Sequence, residues 1–229
     1  MMMPFWDPTM ILIIPAFILA LYAQHRVRST YEKFSKVRAA SGRTGAEMAK
    51  YLLSVNGLSH IEVVPVQGVL ADHYDPGKKK VCLSEHNFHE PSVAAVAVAA
   101  HECGHALQHA RGYVPLNLRS AFVPAAQIGS TAAIPLFFIG MIANMPFLLT
   151  LGILFFAGAV LFQVVTLPVE FDASARALRE LESRGLLASG QEVGMAKKVL
   201  DAAALTYVAA AAMALLQLVR LVLIRNSRD

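Results

Sequence analysis

The chain has 229 residues, of which 56% are hydrophobic, and its mean hydropathy is +0.51. This composition excludes an ordinary soluble domain and indicates long apolar segments of the kind that cross a membrane. The formal net charge is +4, but no basic patch is interleaved with aromatic residues, so we expect no nucleic-acid partner. The two cysteines, Cys82 and Cys103, are typical of a reducing compartment.

The first apolar segment covers residues 4–23 and contains one charged residue, Asp7, close to its end. It lacks the basic start and the small-residue cleavage site of a secretory signal, so we expect a retained transmembrane anchor. No lysine or arginine precedes this segment, whereas the following residues include Arg26, Arg28, Lys33, Lys36, Arg38, Arg43 and Lys50. The positive-inside rule therefore predicts that the residues after the anchor lie in the cytoplasm.

A polar part with mixed secondary structure follows the anchor. Residues 24–60 are predicted to be helical, because apolar residues recur there at spacings of three and four. Strand signals then follow at residues 61–66, 68–74 and 81–84, with a turn signal at residues 75–78. The resulting small sheet either binds substrate as an extended peptide added to its edge or is a structural hairpin only.

The motif with the clearest chemistry is H-E-x-x-H, which occupies residues 101–105 as HECGH. Residues four apart share one face of a helix, so His101 and His105 can bind the same metal ion. Glu102 can then act as general base on a water molecule bound to that metal. The alternative is a helix that carries two polar histidines without a ligand role.

The residues around the motif predict a helix over roughly 92–111. Ser92 is the expected N-cap, and Gly112 provides the stop signal. Gly104 weakens the helix locally but leaves room for another element to approach the metal closely. Cys103 points away from the ligand face, so we expect it to be a small packing residue.

Residues 120–169 contain no charged side chain. This length is enough for two crossings of a bilayer core of about 30 Å. Turn residues at 144–146 divide the stretch, so the sequence predicts a helical hairpin of residues 121–143 and 147–167.

A last apolar stretch covers residues 203–224. It is either a further transmembrane helix or a buried helix of a soluble part, since it is rich in alanine. If it crosses the membrane, Arg225 and Arg228 lie outside, in conflict with the positive-inside rule.

A catalytic zinc site usually has three protein ligands. His109 follows His105 by four residues, but it would have to bend back by a full turn to reach the same metal. Glu85, His86 and His89 lie upstream, although nothing in their spacing requires a ligand role. Glu170 is the better candidate, at the predicted start of a helix where the hairpin returns to the cytoplasmic face; the alternative is a helix-start acid with no metal.

Four stretches of the chain carry a family resemblance. HECGH at 101–105, the predicted hairpin and EFDA at 170–173 together resemble the membrane metalloproteases with a downstream glutamate, which include HtpX-type and CAAX prenyl proteases. ADHYDP at 71–76, VCLS at 81–84 and AAHECGHALQ at 99–108 more closely resemble the YugP-type membrane zinc metallopeptidases of bacteria. The resemblance implies that His101, His105 and Glu170 bind zinc and that Glu102 is the catalytic base.

One position departs from the wider group of these proteases. An aspartate often found four residues after the ligand glutamate is Ser174 here. The sequence therefore does not predict the contact of such an aspartate with a metal-binding residue, although Asp172 or Asp201 can replace that aspartate.

The predicted fold is mainly α-helical: a multi-span membrane protein with a small α+β, zincin-like cytoplasmic part that carries the HExxH helix. In chain order we expect an anchor, the zincin-like part, a transmembrane hairpin, a cytoplasmic segment with the third zinc ligand, and a further transmembrane helix. Their bounds are 4–23, 24–120, 121–167, 168–202 and 203–224.

The predicted function is that of a zinc-dependent endopeptidase of the cell membrane, with its active site facing the cytoplasm. We expect a protein or peptide substrate at or near the membrane, contact with the lipid bilayer, and room for oligomers or partner membrane proteins. Two alternatives remain at this stage: a site-2-type intramembrane protease, and a non-enzymatic scaffold with a structural metal site.

Overall fold

The structure is a computed structural model that describes residues 8–188 and 190–227. The described chain is mainly helical with one small sheet, as predicted. A short 3₁₀ helix, Pro8–Ile13, precedes the α-helices. In chain order the elements are α1 (Ile14–Phe34), α2 (Gly45–Val55), β1 (Glu62–Val66), β2 (His73–Asp75), β3 (Lys80–Ser84), α3 (Glu85–His89), α4 (Val93–Ala110), α5 (Val114–Ile142), α6 (Pro146–Ser183) and α7 (Gly190–Asn226).

Local signals account for both ends of α4, the helix that carries the motif. The Ser92 hydroxyl accepts a hydrogen bond from the backbone N–H of Ala95 at 3.1 Å, as an N-cap does. At the other end, Gly112 has a φ of 64°, a left-handed conformation that favours glycine. The predicted helix of 92–111 is therefore confirmed.

The sheet has the strand order β1–β3–β2. β2 and β3 pair antiparallel across the predicted turn, so that hairpin is confirmed. β2 begins only at His73, however, and residues 68–72 form no strand, which corrects the expected strand of 68–74. β1 pairs parallel with the central strand β3, so β2 and β1 are the two edges.

The chain divides into two compact units, which we describe separately. The site-bearing unit comprises Gln24–Leu116 and Pro168–Leu205. Its core is built from α2, α4 and β3 together with buried residues of α6 and α7, among them Leu52, Val96, Leu181 and Leu200. The many alanines of α4 allow neighbouring elements to pack close to its backbone, so the motif helix is buried within this unit.

The apolar unit comprises the described residues 8–23, 117–167 and 206–227. Large hydrophobic side chains remain exposed throughout it, including Ile18, Phe147, Leu154 and Leu215. Three helical stretches of the described chain are long and apolar enough to cross a membrane: Pro8–Phe34, Pro146–Ser183 and Gly190–Asn226. A fourth candidate is α5, which bends by 47° between Pro124 and Ala126. Residues 4–7 of the predicted anchor and Arg228 lie outside the described residues.

Helix α6 corrects one expectation from the sequence. The pattern after Pro168 indicated the start of a new helix, but α6 runs without a break from Pro146 to Ser183 and includes Pro168. Glu170 is therefore a residue in the interior of a helix and not an acid in a first turn. The helix N-terminus gives no reason for an acid at this position, so its contacts must provide one.

Candidate metal centre

Three side chains with metal-binding groups converge in the site-bearing unit. The Oε2 atom of Glu170 lies 3.3 Å from Nε2 of His101 and 3.6 Å from Nε2 of His105. The candidate ligand atoms of the three residues all lie within 4.8 Å of one another. Glu170 and His105 are buried, and the His101 side chain is only 13% exposed. The two motif histidines and the candidate third ligand thus share one buried point.

Helical geometry and one close contact bring these residues together. His101 and His105 lie one turn apart on α4, and their rings meet edge to face with centroids 4.7 Å apart. Helix α6 reaches them because Gly104 has no side chain: a Cβ atom there would lie 2.5 Å from the carbonyl oxygen of Ala173. The expectation that Gly104 admits a second element beside the site is confirmed.

The distances between these groups fit a tetrahedral zinc ion. Two ligands that each lie about 2.1 Å from zinc at a tetrahedral angle are separated by about 3.4 Å. The measured separations of Glu170 Oε2 from the two Nε2 atoms, 3.3 and 3.6 Å, are close to that value. Two imidazoles and one carboxylate also leave the fourth position for water, as in catalytic sites. The residues present therefore fit zinc.

The other ring nitrogen of each histidine has a polar partner. His101 Nδ1 lies 3.1 Å from the Ser174 hydroxyl oxygen, and His105 Nδ1 lies 3.0 Å from Oε1 of Gln108. If each Nδ1 carries the proton and donates to these oxygens, each Nε2 keeps its lone pair toward Glu170. Such contacts fix the tautomer and the ring orientation that a metal requires.

Gln108 is itself held by α6. Its Nε2 atom donates to the carbonyl oxygen of Val169 and to the Asp172 carboxylate, both at 2.8 Å. Asp172 also accepts a hydrogen bond from Arg176. Asp172 thus reaches His105 only through Gln108, while Asp201 pairs with Lys197.

Ser174 contacts His101 directly, a contact that no pattern in the sequence indicates. Gln108 was missed as well: its partners lie on another helix, and no spacing along the chain indicates them. Gln108 follows His105 by three residues and so lies beside it on the helix surface, and this spacing is the signal that could have found it.

Glu102 is buried, with 6% of its surface exposed. Burial raises the pKa of its carboxyl group, and the neighbouring imidazoles only partly offset this effect. For Glu170, burial also opposes ionisation, but the two neighbouring histidines outweigh it and hold its pKa well below the usual range. The pKa values of the two acids are therefore shifted in opposite directions within one site.

Cys103 lies on the opposite side of α4 from this cluster. It is buried, its Sγ atom contacts the carbonyl oxygen of Ala49 at 3.6 Å, and burial raises the pKa of its thiol. These are the properties of an unreactive packing residue, as expected from its position in the motif.

The remaining candidates lie outside the cluster. Among the described residues, the one group of metal-binding side chains within this distance is His101, His105 and Glu170. His109 instead contacts the Tyr74 hydroxyl through Nδ1 at 2.9 Å. Glu85 and His89 form an exposed pair on α3, and the His86 ring meets Tyr31 edge to face. The structure therefore gives none of these four a place among the converging groups.

Comparison with known proteins decides the family. A family model described as "putative neutral zinc metallopeptidase" matches residues 9–226. The chain belongs to this zinc metallopeptidase family. The match covers both units and includes the motif and Glu170, and the family name and the donor set both indicate zinc.

A curated relative of the zinc metallopeptidase family is similar over nearly the whole chain. It is the "Putative membrane protease YugP" of Bacillus subtilis (strain 168), which is 49% identical over 219 residues. The alignment covers 95% of this chain and 97% of the relative. The resemblance to the YugP-type peptidases is thus confirmed. No solved structure matches this chain.

Proposed function

We propose that this chain is a zinc-dependent endopeptidase embedded in a membrane, with His101, His105 and Glu170 as zinc ligands. The observation that carries the proposal is the buried convergence of two Nε2 atoms and one carboxylate oxygen at separations that suit a tetrahedral ion. The membership of the zinc metallopeptidase family supports it.

Each residue of the site has a defined task in peptide hydrolysis. Zinc, when bound, lowers the pKa of a water molecule and polarises the substrate carbonyl. The Glu102 carboxylate accepts the proton of the attacking water and then donates it to the nitrogen of the leaving amine. Its burial beside the two histidines keeps bulk water from competing for that proton.

Ser174 and Gln108 orient the histidines in this proposal. Each accepts the Nδ1 proton of one imidazole, so that the Nε2 lone pair stays directed to the metal throughout the reaction. The site then keeps its ligand geometry while Glu102 exchanges protons.

The membrane setting of the proposal has two supports. The described chain has three helical stretches, or four with the bent α5, that are apolar enough to cross a bilayer, and the similar Bacillus protein is named a membrane protease. From the positive-inside pattern we place the site on the cytoplasmic side, which favours membrane proteins or membrane-proximal peptides as substrates.

The first test is the zinc content of the detergent-purified protein. We expect about one zinc per chain in the wild type and a sharp loss in Glu170→Gln. Glu182→Gln is the matched control, because Glu182 lies on the same helix but is exposed. Zinc retained in Glu170→Gln would assign the third ligand to another residue.

The second test separates an enzyme from a scaffold with a structural metal site. Glu102→Gln should keep its zinc and lose cleavage of a quenched fluorescent casein, whereas the wild type cleaves it at neutral pH. Equal cleavage by both proteins would refute the role of Glu102. The positions cleaved in a membrane-protein substrate then distinguish this proposal from intramembrane proteolysis.

A further inference from the structure

A second polar site lies in the site-bearing unit, away from the metal-binding residues. It is a cavity of about 310 Å³ between α1 and α7. Three cationic side chains line it together with two hydroxyl groups and one aromatic ring: Arg26, Lys33, Lys198, Ser29, Thr30 and Phe34.

The spacing along α1 explains why these groups meet. Arg26, Thr30 and Lys33 are separated by four and three residues, so they lie along one face of the helix. Thr30 is 9% exposed and Phe34 is 5% exposed, whereas the cationic residues are exposed. The cavity therefore has a positively charged rim over a floor with a hydroxyl group and an aromatic ring.

These three cations differ from their neighbours in how their charge is balanced. Arg28 pairs with Glu32, and Lys197 pairs with Asp201. In the described part of the chain, by contrast, no ion pair involves a cation of the cavity. Three like charges at one cavity repel one another, so an anion bound between them would be stabilised.

The position of the cavity along the sequence indicates the source of that anion. Arg26 follows the predicted anchor of residues 4–23, and Lys198 precedes the apolar stretch of residues 203–224. Basic groups at the cytoplasmic ends of membrane helices meet the head groups of anionic lipids. Arginine and lysine are also the side chains that bind phosphate oxygens best.

We propose that this cavity binds the phosphate group of an anionic phospholipid. The phosphodiester lies between Arg26, Lys33 and Lys198, and the Thr30 hydroxyl donates a hydrogen bond to one of its oxygens, whereas the Ser29 hydroxyl donates to the carbonyl oxygen of Arg26. The lipid source rests on the proposed membrane embedding. Binding at this cavity is independent of zinc, so the two proposals can fail separately.

The test compares two triple variants with the same change in charge. The cavity variant combines Arg26→Gln, Lys33→Gln and Lys198→Gln; the control variant combines Arg28→Gln, Lys36→Gln and Lys197→Gln. Each full-length protein is titrated in nonionic detergent with dioctanoyl phosphatidylglycerol, dioctanoyl phosphatidylcholine or inorganic phosphate. The rise in Tm with ligand concentration gives the apparent affinity.

We expect phosphatidylglycerol to bind the wild type and the control variant with similar affinity, and phosphatidylcholine to bind both more weakly. The cavity variant should bind phosphatidylglycerol more weakly by on the order of tenfold to a hundredfold. Equal losses in both triple variants, or no preference of the wild type for phosphatidylglycerol over phosphatidylcholine, would overturn the proposal. Inorganic phosphate that binds as tightly as phosphatidylglycerol would overturn the lipid as the source.

Circular dichroism and a single elution peak check that each variant is folded. If the cavity variant is not folded, Lys198→Gln alone provides the same test, because Lys198 is an exposed side chain. A loss of affinity for phosphatidylglycerol in this single variant supports the cavity, and an unchanged affinity contradicts it. Zinc content measured on the same samples shows whether the metal site is intact.

Discussion

The Gln108 side chain joins a candidate zinc ligand to the helix that supplies another. It accepts from His105 through its carbonyl oxygen and donates to Val169 and Asp172 through its amide nitrogen. Gln108 is fully buried, so none of these groups can exchange its partner for bulk water. An amide suits this position because it accepts on one side and donates on the other.

Replacing Gln108 should therefore weaken zinc binding. Gln108→Met keeps a side chain of similar size but removes the acceptor for the His105 Nδ1 proton. We expect the zinc Kd to rise by about 10- to 100-fold, measured by competition with a chromophoric chelator. Gln191→Met, at an exposed position on α7, is the control and should leave the Kd unchanged. Equal affinities in all three proteins would show that Gln108 only fills space.

The sequence predicted which three side chains converge better than it predicted the groups that hydrogen-bond to them. The spacing of His101 and His105 dictates a shared helix face, because both residues belong to one regular element. The contact of Gln108 with Asp172 joins residues 64 positions apart, and so depends on how α4 and α6 pack. Local patterns carry no information on such pairings.

At the scale of elements, Gly104 shows how the packing of two helices decides the effect of a substitution. Helix propensity favours alanine over glycine by about 1 kcal/mol. At Gly104, however, a Cβ atom would lie 2.5 Å from the Ala173 carbonyl oxygen and 3.1 Å from its carbonyl carbon. Because these are backbone atoms of α6, neither can move aside alone.

We therefore expect Gly104→Ala to destabilise the protein by about 1–3 kcal/mol. It should also weaken zinc binding, since Glu170 lies one turn before Ala173 on α6. Gly194→Ala is the control: a Cβ atom there meets nothing within 4 Å, so its stability should be equal to the wild type or slightly higher. Thermal unfolding in detergent measures the stability of both variants. A Gly104→Ala variant as stable as Gly194→Ala would contradict the close approach of α6 to Gly104.

Two elements could not be predicted correctly because local signals and tertiary contacts disagree. Pro168 followed by two acids is typical of a helix start, yet α6 continues through it. The pattern of residues 68–74 likewise favours a strand over its whole length, yet β2 begins only at His73. In both cases the surrounding packing outweighs the local preference.

Another contact between elements makes stability depend on pH. The Glu180 carboxylate on α6 accepts hydrogen bonds from Asn56, the C-cap of α2, and from Arg184. Burial opposes the ionisation of Glu180, but these two partners outweigh it and lower its pKa. Because the folded-state pKa lies below the unfolded one, the contact stabilises the fold above the unfolded pKa and is lost as pH falls through the folded pKa.

Glu180→Gln should therefore lower the free energy of unfolding by about 0.5–1 kcal/mol at pH 7. The difference from the wild type should shrink as the pH falls below the ordinary glutamate pKa of about 4.3 and disappear below the lowered folded-state pKa of Glu180. Urea unfolding at several pH values measures this, with Glu182→Gln on the same helix as the exposed control. A difference that does not change with pH would mean that the ionised form of Glu180 is not what stabilises the contact.

At the scale of the whole molecule, charge and hydropathy together predict an orientation. Cations follow the first apolar segment and occur again between the predicted hairpin and the last apolar stretch, as Arg176, Arg179, Arg184, Lys197 and Lys198. No charged residue lies within 120–169. The positive-inside rule predicts that both basic regions face the cytoplasm and that the turn of the hairpin lies on the opposite side of the membrane.

Cysteine labelling in intact cells tests this orientation. The native Cys82 and Cys103 are 7% and 1% exposed, so they contribute little background. Met145 directly precedes α6 and is 47% exposed, and the Glu85 side chain is 61% exposed. A membrane-impermeant maleimide should label Met145→Cys in intact cells and Glu85→Cys only after lysis. The opposite pattern would place the metal-binding residues outside the cell, whereas labelling of both variants only after lysis would mean that the hairpin does not cross the membrane.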